Sequence, residues 1–308
     1  MKIIECVPNF SEGKDIATIN SIVEVIKNTE SIEVLDVDPG KDTNRTVVTF
    51  IGAPKNVIEA AFNAIKRASE LIDMTKHLGE HARMGATDVC PLIPVSNVSM
   101  EECIKYSAIL AEKVSNKLDI PTFLYEESAR TLERRNLANI RKGEYEGMSE
   151  KLLNKKWKPD YGPRTMINNA GVTAIGARNY LIAYNINLNS VDKKIASDIA
   201  LDIRELGRAR RDSKGRIIRL SNGNIKRKPG KLKATKAVGW YIEEYKKAQV
   251  SMNLINYKVT SLHKAFEEVR NQARKRGLRV TGSEIVGLIP KDSILEAGLY
   301  YLEKQNKS

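Results

Sequence analysis

Two runs of strand-forming residues, Ile32-Glu-Val-Leu-Asp-Val37 and Thr46-Val-Val-Thr-Phe-Ile-Gly52, are joined by Asp38-Pro39-Gly40-Lys-Asp-Thr-Asn44. β-Branched residues suit a pleated backbone, and Asp-Pro-Gly suits a reversal. The stretch therefore predicts two strands with a turn over 38–44. A helix is expected on each side of the pair. Upstream, past Glu12-Gly13, Ile16, Ile19, Val23 and Ile26 recur at helical spacing over about 15–28. Downstream, Pro54 opens a helix over about 55–71 that carries Val57, Ala61, Ala64 and Ala68. Residues 2–8 and Asp88 to Pro94 read as strands, followed by a helix over about 99–118 and the strand Thr122-Phe-Leu-Tyr125. The order β-α-β-β-α-β-α-β argues a mixed sheet with helices mainly on one face, an α/β chain of the α+β type.

Residues 126–160 are polar and charged with helical pieces, an excursion or a connection. Beyond them the same grammar returns. Tyr180–Leu188 reads as a strand, about 192–206 as a helix, Ala234–Glu243 and Gln249–Tyr257 as strands, 260–276 as a helix, Arg279–Ile285 as a strand and 291–304 as a last helix. We expect two domains, 1–175 and 176–308, the second opening near Gly171-Val-Thr-Ala-Ile-Gly176.

Composition limits the function classes. With 308 residues and 42% hydrophobic content the chain can bury two cores. Cys6, Cys90 and Cys103 form neither a disulfide framework nor a zinc pattern, which points to reduced thiols in a cytoplasmic protein. The N-terminal Met-Lys-Ile-Ile-Glu-Cys-Val-Pro reads as a strand and not a secretory signal. No apolar run approaches the roughly 18 residues of a membrane span, so no membrane partner is expected. The net charge of +13 is concentrated in residues 208–236, where twelve Lys and Arg face the single acid Asp212. No aromatic residue is interleaved there, so the segment is no stacking platform for bases and no nucleic-acid partner is expected. A solvated hairpin and an anion-attracting lip remain the two readings.

Chemistry concentrates in His77-Leu-Gly-Glu-His81-Ala-Arg83-Met-Gly85-Ala-Thr-Asp88, which holds two of the chain's three histidines. Gly79 and Gly85 make this a shaped loop rather than a helix face. Histidine titrates nearest neutrality, so His81, beside Arg83 and Asp88, is the candidate acid–base group. His77 is expected to orient or pack. Gly79 interrupts the helical spacing that a His-x-x-x-His metal pair needs and no third ligand is evident, so no metal is expected.

These stretches resemble the formiminotransferases. The similarity rests on Glu5-Cys-Val-Pro-Asn-Phe-Ser-Glu-Gly13, Leu35-Asp-Val-Asp38, Thr43-Asn-Arg-Thr46, His77-x-Gly-Glu-His81-x-Arg83-Met-Gly85, Pro159-Asp-Tyr-Gly-Pro163, Gly176-Ala-Arg178, Tyr184-Asn-Ile-Asn187 and Val238-Gly-Trp240-Tyr241. It runs nearly end to end. Ala82, where many relatives carry proline, departs from the pattern. The resemblance implies two ferredoxin-like subdomains, a homodimer, and transfer of a formimidoyl group between N-formimidoyl-L-glutamate and tetrahydrofolate in histidine degradation. It places the catalytic histidine on His81, an acidic partner on Asp38, and folate binding on Gly162, Pro163, Arg164, Thr165, Met166, Ile167, Asn168, Asn169, Ala170 and Gly171.

Tetrahydrofolate, in some cells polyglutamylated, enters as a co-substrate. The attacking amine must lose a proton and the leaving nitrogen gain one, and one imidazole serves both steps. A carboxylate at Asp38 would stabilise the cationic amidine. Arg45, Arg83, Arg164 and Arg178 are unranked candidates for the substrate carboxylates, because the guanidinium fork matches them. Two rivals stand beside this reading: formyl transfer between 5-formyltetrahydrofolate and glutamate, and a basic nucleic-acid-binding protein.

Overall fold

The computed structural model describes residues 1–79, 81–166 and 169–306. The chain forms two compact units, Met1–Asn179 and Tyr180–Ser308. The first contains β1 (Ile3–Cys6), β2 (Asn9–Phe10), α1 (Ile16–Lys27), β3 (Ile32–Gly40), β4 (Arg45–Gly52), α2 (Pro54–Leu71), β5 (Thr87–Ser96), α3 (Met100–Leu118), β6 (Thr122–Glu126), α4 (Leu132–Arg135), α5 (Leu137–Arg141), α6 (Glu144–Leu153) and β7 (Thr173–Ala177). β3, β4, β1 and β5 lie side by side in antiparallel pairs, the arrangement of a ferredoxin-like β-α-β-β-α-β unit. β2 continues β1 between β4 and β5, and β7 and β6 extend the β5 edge in parallel, giving a mixed seven-stranded sheet.

Local signals set the helix ends. Asp15 caps α1 by accepting from the Ala17 N–H, and Pro54 stands at the first turn of α2. Ser99 and Glu102 form a capping box on α3, which stops at Asp119 in the left-handed region (φ 54°). Ile4, Cys6, Val48, Phe50, Cys90 and Leu92 point from the sheet into one core with α1, α2 and α3. On the opposite face, Val89, Phe123, Tyr125 and Ala174 pack under Ile140, Met148 and Leu152 of α5 and α6. The polar stretch 126–160 is thus a helical cover for one end of the second face. Ile140, Met148 and Leu152 are buried there while Leu132 and Leu153 are exposed, which is why periodicity is weak in this stretch.

Two sequence expectations shift. Asp38-Pro39-Gly40 was expected in the turn, but β3 runs on to Gly40, paired with Arg45, and the reversal is left to 41–44. Pro39 is tolerated because β3 is an edge strand. The expected boundary at 175/176 falls inside β7, a strand of the first unit's sheet, and the compact units divide four residues later.

The second unit contains β8 (Ile182–Leu188), α7 (Lys193–Ile203), β9 (Arg208–Ala209), β10 (Arg227–Lys228), β11 (Thr235–Ile242), β12 (Lys247–Leu254), α8 (Leu262–Arg274), β13 (Val280–Val286) and α9 (Lys291–Gln305). Its four-stranded sheet, in order β11-β12-β8-β13, repeats the ferredoxin-like order, and every pairing in it is antiparallel. Ile182, Ile186, Leu188, Val250, Met252 and Leu254 meet α7 and α8 in its core. The basic segment begins in the two-residue pair β9–β10 and continues through bridges Arg211–Ile217 and Arg219–Ile225 as an exposed hairpin. Arg208 is tied to Asp198 and Asp202 of α7. Among the described residues no helix is long and apolar enough to cross a membrane.

Candidate active site

Asn44, in the left-handed region (φ 46°), ties three segments together. Its side chain accepts from the Gly13 N–H at 3.0 Å and donates to the Leu78 carbonyl at 2.8 Å, while its own carbonyl accepts from His77 Nε2 at 2.9 Å. Gly79 lies so close to this turn that a Cβ would stand 2.4 Å from the Thr43 carbonyl. On the other flank a Cβ on Gly85 would meet the Val172 carbonyl at 2.2 Å, and one on Gly171 the Met84 carbonyl at 2.4 Å. Ser11 Oγ donates to the Gly85 carbonyl at 2.8 Å. The glycines of the histidine loop therefore serve backbone-to-backbone contact, and the loop is held between the β3–β4 turn and residues 169–172.

Within that frame four side chains form a cluster. Arg45, the first residue of β4, donates from Nε and Nη2 to Asn9 Oδ1 at 2.9 and 2.7 Å, and from Nη1 to Asp88 Oδ2 at 2.6 Å. Arg141, at the end of α5, pairs with the same carboxylate, whose Oδ1 also accepts the Met84 N–H at 3.1 Å. Asp88 is fully buried. It falls where the β2–β5 register slips, between Thr87 opposite Phe10 and Val89 opposite Asn9, and such a bulge re-aims a side chain. Burial alone would raise the Asp88 carboxyl, but Arg141 and Arg45 outweigh it and hold the carboxyl at about 2. Burial lowers Arg45 to about 10, so it stays cationic at neutral pH.

His81 meets this cluster through Nδ1, 3.2 Å from Arg45 Nη1 and 2.7 Å from the Ala82 carbonyl. A carbonyl only accepts, so the shorter contact assigns the proton to Nδ1 and leaves the lone pair on Nε2. Arg45, then burial, then Arg141 push the imidazole down to about 3, against a smaller opposing pull from Asp88. The ring is neutral at physiological pH. Asp38 is half-buried on β3 opposite Val47, whose other neighbour across the sheet is Asn9. Gly40 pairs with Arg45, so the register sets Asp38 on the face that carries Arg45, diagonal to it.

The other sequence candidates fall into place differently. Arg83 is buried and uses its donors within the chain, on His77 Nδ1 and carbonyl and on Glu144 and Glu146 of α6. Its carboxylate partners are the protein's own. Arg164 donates to the Leu152 carbonyl at 3.0 Å and to that of Leu153, closing the C-terminus of α6. Gly162 (φ 90°) packs on Ser115 of α3 with Pro163 and Thr165 following, and Met166 packs against the second-face core. Asn169 and Ala170 give their carbonyls to the Met74 and Ala86 N–H groups, so this end of the stretch abuts the histidine loop. Ile167 and Asn168 lie outside the described residues. Arg178, half-buried after β7, donates to the Asn179 carbonyl. Asn9 and Arg141 carried no assigned role in the sequence reading. Asn9 lay inside a quoted motif, but nothing local marks Arg141 within a charged stretch.

His77 bridges the Asn44 carbonyl and Arg83 Nε and is buried. His77→Ala strands two buried polar groups, at about 1–3 kcal/mol each. We expect a Tm lowered by several degrees in thermal denaturation, with kcat disturbed far less than by loss of His81.

A buried arginine–carboxylate pair thus lies beside a neutral histidine on a glycine-shaped loop of a ferredoxin-like α/β unit. Residues 3–178 match the family model described as formiminotransferase domain, N-terminal subdomain, and residues 183–308 match the formiminotransferase domain. The chain belongs to the formiminotransferase domain family. It is 50% identical to a formimidoyltransferase-cyclodeaminase of Dictyostelium discoideum over 99% of its own length and 54% of that protein, and so spans about half of such relatives. It is also 44% identical to a glutamate formimidoyltransferase of Streptococcus pyogenes serotype M1, covering 99% of this chain and 95% of that one. A third relative, the glutamate formimidoyltransferase of Thermoplasma acidophilum, is 38% identical over 98% of this chain and 93% of its own.

Proposed function

We propose that this chain transfers a formimidoyl group between N-formimidoyl-L-glutamate and tetrahydrofolate, with His81 as the general acid and base. The observation that carries the reading is the His81 ring, whose Nδ1 is committed to the Ala82 carbonyl so that Nε2 is left to take a proton. Family membership and the names of two nearly full-length relatives support the substrate pair. His81 Nε2 removes the proton of the attacking amine as the bond to the formimidoyl carbon forms, then returns it to the leaving nitrogen. Asp38 faces the cationic amidine and stabilises it.

Arg45 sets the basicity of the imidazole through its charge. Arg45 is the main cause of the depressed His81 value. A substrate carboxylate placed near Arg45 or Arg141 would offset that field and raise the imidazole toward the range where it accepts a proton. The stretch 162–171, held against the histidine loop by Ala170 and Gly171, is proposed to bind the folate co-substrate. A cytoplasmic homodimer belongs to the same reading, and sedimentation of the purified protein tests the dimer.

The direct test is an assay of purified protein with N-formimidoyl-L-glutamate and tetrahydrofolate. We expect turnover at least about tenfold faster than formyl transfer from 5-formyltetrahydrofolate to glutamate, because a site built around an N–H rejects the oxygen analogue. Formyl transfer at an equal or higher rate would establish the rival activity.

The basic hairpin bears on polyglutamylated folates. Its charges are exposed, so they act over about one Debye length, roughly 8 Å at physiological salt. Neutralising Lys226, Arg227 and Lys228 together should raise KM for a polyglutamylated donor severalfold at low salt. KM for the monoglutamate and kcat should be unchanged. A KM ratio for the two donors that is the same in wild type and variant, at low and high salt, would assign the charge to another purpose.

A further inference from the structure

Glu5 opens the first sequence motif. It lies on β1 between Ile51 of β4 and Ile93 of β5. Its neighbours Ile4 and Cys6 point into the core under the helices, so Glu5 points from the opposite face, the one that carries Asn9, Asp38 and Arg45. The residue is only 7% exposed. Among the described residues its carboxylate has no hydrogen-bond or ion-pair partner, yet neither oxygen is sealed from accessible surface. The nearest cationic influence is Arg178, which follows Ala177 on β7 and stands beyond ion-pair distance. A buried carboxylate without a partner is costly, and such groups are retained where something else completes them.

We propose that Glu5 is a ligand-binding carboxylate that accepts two N–H groups borne by one carbon. This rests on the transferase reading. Two parts of the substrates offer that planar N–C–N edge: the amino-pyrimidine side of the pterin and the amidine of the glutamate-derived substrate. The register favours the pterin. Glu5 and Asn9 are four residues apart, about 13 Å at ~3.3 Å per residue, and Asn9 holds the arginine that touches His81. A bicyclic ring whose reacting nitrogen lies at His81 extends its far edge toward Glu5, whereas an amidine reacting at His81 stays near that end. Burial raises the Glu5 carboxyl from its ordinary value against a smaller pull from Arg178. A pair of N–H donors opposes that shift and favours the carboxylate.

The test is Glu5→Gln, which keeps the shape and turns one acceptor into a donor. Titration calorimetry measures binding of 5-formyltetrahydrofolate and of N-formimidoyl-L-glutamate separately, and thermal denaturation follows the ligand-free protein. We expect the folate Kd to rise at least tenfold, the glutamate-derived ligand to bind as before, and Tm to hold or increase because a buried carboxyl without a partner has gone. Loss confined to the glutamate-derived ligand would keep Glu5 as a ligand group and assign it to the amidine. Unchanged binding of both ligands, or a lowered Tm with both affinities falling together, would overturn the inference. Wild-type protein that bound neither ligand would overturn the transferase reading and this inference with it.

Discussion

His81→Ala is expected to lower kcat by about a hundredfold or more while the substrates still bind, because the variant loses the group proposed to move the proton and little of the surface proposed to hold the ligands. Among the described residues the half-buried ring makes polar contacts with Arg45 and the Ala82 carbonyl alone, so the fold should survive its removal with a small change in Tm. Steady-state kinetics separates the two effects, and near-normal turnover would end the assignment. The pH profile adds a second check. The free-enzyme imidazole is held at about 3, mainly by Arg45. As kcat/KM reports groups of the free enzyme, His81 should impose no acid limb on kcat/KM between pH 5 and 7. A limb near the ordinary histidine value that vanished in His81→Gln would show the imidazole to be free of the Arg45 field.

Asp88→Asn should be the most destabilising single change at the site. The carboxylate is fully buried and pairs with two guanidinium groups, Arg45 and Arg141. Removing one partner of such a network leaves buried charge uncompensated, at about 3–5 kcal/mol, or a fall in Tm on the order of 10 °C. Arg45 would then lose its fixed position beside His81, and activity should fall even at temperatures where the variant is folded. The pH dependence follows from the same pair. Asp88 sits near 2, below its ordinary 3.8, so the stability it contributes is complete above about pH 4 and lost as pH falls toward 2. His81 is depressed from 6.5 to about 3, so its neutral burial favours folding above about pH 6.5 and progressively less toward pH 3. Acid denaturation of the Asp88→Asn variant should lose the carboxylate component, and the histidine component should shrink as Arg45 leaves the imidazole. An unchanged Tm and acid midpoint would show that the two arginines find other partners.

Most of the secondary structure was legible because amphipathic periodicity and turn residues are local. The helix over about 55–71 was observed at Pro54–Leu71, and the strand run 46–52 as Arg45–Gly52. The misplaced features were those that depend on partners. Asp38-Pro-Gly is a turn by composition and a strand by pairing, because β4 supplies the opposite edge. The stretch near Gly171–Ala177 seemed to open the second unit, but the slot between β5 and β6 claims it for the first. Gly176 shows the reason for its residue type only there, since a Cβ would stand 2.7 Å from the Tyr125 ring.

By itself the sequence determined the repeated β-α-β-β-α-β grammar, the glycine-shaped histidine loop and the location of the excess charge, all of which follow from neighbours along the chain. It also marked His81 by residue chemistry and motif. Only the tertiary structure decided which of the candidate arginines meets His81. Arg45, Arg83, Arg164 and Arg178 are equivalent as residues, and their differences lie in what each guanidinium meets. Arg83 is consumed by Glu144 and Glu146, Arg164 by the end of α6, while Arg45 is shared between Asn9, Asp88 and the imidazole. Those partners come from sequence positions 36 to 63 residues away where they pair with Arg45 or Arg83. An ionisable group's charge state is set by its burial and its neighbours in space, and neither is written in the residues beside it.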